Sequence, residues 1–109
     1  MEIGMLRQGD ILLIPMVAIY PPMEARSAQE LILAEGEITG HAHRLRGNSI
    51  LEWSVEGQRY IRVIGDEPGA LSHEDHDPVP AAVVAPEVTY RVVQQKEWDL
   101  KSEWRQVVD

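Results

Sequence analysis

The sequence predicts a mainly β fold, a small single-domain barrel or sandwich of about six or seven strands with little helix. Three observations predict it. Short runs of branched and aromatic residues recur along the chain, turns bearing glycine or proline separate them, and 109 residues at 44% hydrophobic content suit one core spanning residues 1–109.

Gly9-Asp10 is a turn signal, and Ile11-Leu12-Leu13-Ile14-Pro15 continues as a buried strand whose proline marks a sheet edge or bulge. Tyr20-Pro21-Pro22 breaks the chain. Met23 to Gln29 reads as one helical turn or a loop, and Glu30 to Thr39 as two short strands bent at Glu35-Gly36-Glu37. The clearest motif is a hairpin: Ser49 to Val55, a Glu56-Gly57 turn, then Gln58 to Ile64, with Ile61 and Val63 facing away from Tyr60, Arg62 and Ile64. Gly65 to Pro80 is an acidic loop with a short element at Ala70-Leu71-Ser72. Val88 to Gln95 is a strong strand, and Trp104 to Val108 a plausible last one. Trp53, Trp98 and Trp104 read as packing residues.

Composition narrows the function. Without cysteine there is no disulfide, thiol nucleophile or Cys-type zinc site, so any metal would need His, Asp or Glu ligands. A net charge of −8 argues against nucleic-acid binding, since the only local basic cluster is Arg44 and Arg46, which read as a solvated face or an anion clamp. The longest apolar run, Ile11 to Tyr20, is too short to span a bilayer, and no signal-peptide pattern appears, so a cytoplasmic location is expected.

The four histidines form two tight pairs. His41 and His43 share a face if the chain is extended, whereas His73 and His76 meet only through a helical turn. Three readings stand: exposed strand and loop residues, shared coordination of one metal by both pairs, and metal-free acid–base use of one pair. Glu35, Glu37 and Glu52 are carboxylates that neighbouring strands would bring near the histidines. No phosphate loop or nucleophile elbow is present, and His73-Glu74-Asp75-His76 is one residue short of the zinc-protease motif.

The runs Arg7-Gln8-Gly9-Asp10-Ile11-Leu12-Leu13, Leu33-Ala34-Glu35-Gly36-Glu37-Ile38-Thr39-Gly40-His41-Ala42-His43, His73-Glu74-Asp75-His76 and Tyr90-Arg91-Val92-Val93-Gln94-Gln95-Lys96-Glu97-Trp98 together resemble a family of small uncharacterised bacterial and phage proteins. That resemblance implies a single compact domain and assigns no activity. His41-Ala42-His43 also resembles the first metal motif of cupins, β-barrels that hold metal with three His and a Glu; here no Glu stands four or five residues after His43.

Two hypotheses follow. In the first the chain binds a divalent metal (Zn, Mn, Ni or Fe) through His41, His43, His73 and His76, with no organic cofactor, and extends to a hydrolase in which Glu74 or Glu37 is general base. In the second it is a non-catalytic module, a phage-associated or operon-encoded accessory protein that works through protein contacts. The substrate, the partner and the oligomeric state are left open.

Overall fold

The computed structural model describes residues 4–35, 42–73 and 82–95. These form eight strands and no helix: β1 (Leu6–Gln8), β2 (Ile11–Met16), β3 (Arg26–Glu35), β4 (Ala42–Val55), β5 (Gln58–Val63), β6 (Gly69–His73), β7 (Ala82–Val84) and β8 (Thr89–Gln94). The mainly β fold expected from the sequence is present. Residues 26–29, expected to be a helical turn or loop, instead open β3. The short β1 and β7 were not anticipated. Trp104 to Val108 lies outside the described residues.

All pairings between strands are antiparallel, in the order β1-β2-β8-β5-β4-β6-β7, and β3 pairs with β4. β4 organises the sheet. β3 follows one edge of it over both halves, while on the other edge β6 takes His43 to Arg46 and β5 takes Ile50 to Val55. At the far ends of the order, β1 lies against β7. Gln8 Nε2 donates to the Leu71 carbonyl at 2.9 Å, bridging β1 to β6. The sheet is thus nearly closed into a barrel.

Alternation along the strands fills the interior. Ile11, Leu13, Leu45, Ile61, Val63 and Leu71 are fully buried in one cluster, each such side chain contributing about 1.5–3 kcal/mol. Leu31 and Leu33 of β3 join it. The expected hairpin is present: Val55 pairs with Gln58 across Glu56 (φ 51°) and Gly57 (φ 78°), the two left-handed residues that a tight two-residue turn requires. Trp53 stacks on Tyr60 with ring centroids 5.8 Å apart, a packing role. Beyond Leu13, β2 pairs only with β8 among the described residues, so Pro15 sits on the side where no described strand pairs with it.

Candidate functional site

The β1–β2 connection is a two-residue turn, Gly9-Asp10, closed by Gln8 opposite Ile11. Gly9 takes φ +58° there, the glycine-first arrangement that matches strand twist. It also passes over His43: a Cβ at Gly9 would stand 3.2 Å from the ring Cε1 and 3.5 Å from Nε2. The turn therefore presses Gln8 and Asp10 onto the one histidine whose side chain is described.

His43 lies on β4, two residues from the core Leu45, and is 2% exposed. It is not the exposed strand residue of the simplest sequence reading. Its Nδ1 meets Gln8 Oε1 at 3.0 Å, and its Nε2 meets Asp10 Oδ1 at 2.9 Å. Asp10 Oδ2 accepts from Gln94 Nε2 at 3.0 Å, and the Asp10 carbonyl accepts from the Gln95 backbone N–H at 2.7 Å. Four strands are joined at this end of the barrel: β1 through Gln8, β4 through His43, β6 through the Leu71 carbonyl and β8 through Gln94. Burial of Gln8 and His43 is tolerated because each has a partner, while Asp10 is partly exposed and Gln94 exposed.

The bonding order fixes the ring. Gln8 Nε2 is committed to the Leu71 carbonyl, so Gln8 Oε1 acts as acceptor and the His43 Nδ1 bears a proton. Nε2 then faces a carboxylate, which when ionised only accepts. The 2.9 Å separation suits a proton shared between the two atoms, or a metal ion that both would ligate from one side, off the line between them.

Of the other sequence candidates, His73 ends β6 and stands directly opposite His43 in the strand register. One member of each histidine pair is thus brought to the same rung of the sheet. His41, His76, Glu37 and Glu74 lie outside the described residues. Glu52 does not approach His43: it is nine residues along β4 from it, about 30 Å, and holds Arg59 through contacts of 2.6 and 3.0 Å. Arg44 and Arg46 both bind Glu30 on β3, at 2.8 and 3.2 Å, rather than forming an open anion clamp. The hydrogen bond from Arg44 is the main cause that holds the Glu30 carboxyl below its ordinary value. Among the described residues, no group of three or more His, Asp or Glu side chains is arranged to hold a metal. None forms a helix long and apolar enough to cross a membrane.

Gln8 and Asp10 were not singled out from the sequence. The available signal was Gly9-Asp10 between two apolar runs, a hairpin dipeptide that would have placed both side chains at a strand end.

Comparison with curated proteins and with solved structures gives no match. A family model described as a domain of unknown function, DUF8820, matches residues 7–95. That span holds Gln8, Asp10, His43, Leu71, Gln94 and Gln95, the residues of this network, and the chain belongs to the DUF8820 family.

Proposed function

We propose that the chain is a divalent-metal-binding β-domain whose centre lies at the His43 end of the barrel. The observation that carries this reading is the pairing of His43 Nε2 with Asp10 Oδ1 at 2.9 Å, with the opposite ring nitrogen already fixed by Gln8. Metal-bound imidazoles typically donate their second N–H to such an acceptor, which sets the tautomer and turns the free nitrogen toward the ion. A separation of 2.9 Å is also what two ligands about 2.0–2.2 Å from one ion span when they subtend about 90°. His73 stands opposite His43 in the strand register, and His41 and His76 flank these two in the sequence. Zn, Mn, Ni and Fe all suit imidazole with carboxylate.

When bound, such a metal lowers the pKa of a coordinated water and makes it a nucleophile, the chemistry of a hydrolase. Glu37, four residues before His41, and Glu74, next to His73, are the carboxylates for general-base work. Titration calorimetry with zinc, manganese and nickel on wild type, His43→Ala and Asp10→Ala tests the reading. We expect saturable binding of at least one metal by wild type, weakened at least tenfold in both variants. Absence of binding to wild type, or equal binding by all three proteins, overturns it.

A second reading, the protein-contact module, is favoured by the connection between β2 and β3. Val17, Tyr20 and Met23 there are 93%, 70% and 103% exposed, an apolar display of the kind partners cover.

A further inference from the structure

β8 is paired further along one side than along the other. β2 pairs with it as far as Gln94, but β5 pairs only from Thr89 to Val92, so Val93 and Gln94 have no pairing with β5 beside the Glu56-Gly57 turn. The sheet is notched there. The notch forms a groove of about 350 Å³ lined by Gly57, Gln58, Arg59, Arg91, Val93 and Gln94, among others.

The groove is asymmetric in charge. Arg59 is neutralised by Glu52, as Arg44 and Arg46 are by Glu30 and Arg62 by Glu87. Arg91 meets no carboxylate among the described residues. Its Nη1 makes a 3.4 Å contact with Gln58 Oε1, an oxygen that also accepts from the Tyr60 hydroxyl. Its Nε is buried without a hydrogen-bond partner. Leaving a buried donor of a charged group unmet costs about 1–3 kcal/mol or more, and such a group calls for an explanation. A guanidinium fork with spare donors suits a carboxylate or phosphate that can be held by two parallel hydrogen bonds.

Position adds to charge. Side chains alternate along β8, so Arg91 and Gln94 sit on opposite faces, about 10 Å apart along the strand, and both residues line the groove. At its far wall Gln94 Nε2 holds Asp10, the partner of His43.

We propose that this groove binds a small-molecule oxyanion, a carboxylate or a phosphate, on Arg91, with the rest of the ligand directed toward the Asp10–His43 end of the barrel. The direction toward a metal rests on the preceding reading; anion capture by Arg91 does not. The net charge of −8 works against non-specific anion attraction, so a localised response to an anion reports a built site.

The test is a nuclear magnetic resonance titration of metal-free protein with sodium acetate and, separately, sodium phosphate at constant ionic strength. It follows the backbone amides of Gly57, Gln58, Val93 and Gln94 and the Arg91 Nε–H signal. The expected result is saturable shifts confined to those groups, with the more responsive of the two anions identifying the ligand class. Arg91→Gln should weaken the response at least tenfold, and Arg91→Lys, which keeps the charge without the fork, should give an intermediate value with undisturbed dispersion elsewhere. Absence of saturation with both anions, shifts spread over all arginines, or equal response in Arg91→Gln overturns the proposal. Zinc affinity does not enter these readouts, so loss of the metal reading would leave this result standing.

Discussion

The two halves of β4 are built on different principles. From Ile50 to Val55 the strand turns back at once through Glu56 and Gly57 into β5, and its inward residues meet apolar partners, Ile50 opposite Val63. From Ala42 to Arg46 its neighbours are β3 and β6, and its buried ring is served by Gln8 and Asp10, 35 and 33 residues away. One half is held by local pairing and apolar burial, which tolerates no cavity. The other is held by a directional polar network, which tolerates no missing partner. Function is to be sought in the second, because a satisfied polar network inside a small core has little packing value and a specific chemical one.

The contrast sets an order of mutational costs. Ile61 is fully exposed to the core cluster and 0% exposed to solvent. Ile61→Ala should lower stability by about 2–5 kcal/mol, read as the shift in urea midpoint at constant slope. At the other half, Asp10→Asn keeps shape and can still donate to His43 Nε2, but removes the charge. A loss of about 1–3 kcal/mol is expected if a charge-assisted bond is replaced by a neutral one. An Asp10→Asn loss as large as that of Ile61→Ala would show that the network, not the apolar cluster, dominates the barrel.

The same contrast explains what the sequence made legible. The β4–β5 hairpin could be read because its turn residues and alternation lie within sixteen consecutive positions, and β2 and β8 because their apolar runs are strong. β1 and β7, three residues each, are too short to show a period, and they form because the barrel needs edges to close. β3 was misread at its start since Arg26 to Gln29 carries no alternation; pairing with Leu51 and Glu52 makes it a strand. At the site, the histidine spacing points to all four histidines, of which His43 and His73 stand opposite each other in the strand register. Nothing in the spacing pointed to Gln8 or Asp10, whose role depends on a hairpin folding over a strand some thirty residues later.

Gly9 is where that fold-over is tightest. Its left-handed backbone alone makes Gly9→Ala unfavourable by about 1–2 kcal/mol, and the new methyl would press on the His43 ring at 3.2 Å. We expect a stability loss near that range in thermal unfolding, accompanied by a shift of the His43 ring resonances. Loss of stability with unmoved ring resonances would mean that the turn absorbs the methyl by bending outward, and that the network is less tightly imposed than its distances imply.

The smallest expected effects are in the pH dependence, and they divide along the same line. Glu30 on β3 has its carboxyl held below the usual value of 4.5, chiefly by the Arg44 hydrogen bond beside His43. A lowered folded-state value contributes stability that is present above 4.5 and lost as pH falls through the folded-state value. Tyr90, opposite Ile61 in the apolar half, has its hydroxyl pushed above the usual 10.0 by burial, offset in part by a backbone hydrogen bond from Ala85. A raised value contributes stability that is fully present below pH 10 and lost as pH rises through the folded-state value. Glu30→Gln should therefore flatten only the acid limb of the stability profile, modestly because Glu30 is exposed and screened by salt. Tyr90→Phe should flatten only the alkaline limb. Urea midpoints measured from pH 3 to pH 11 on the two variants check this assignment; a change in the acid limb from Tyr90→Phe, or in the alkaline limb from Glu30→Gln, would show that the two halves of β4 unfold as coupled titrating units rather than as separately stabilised regions.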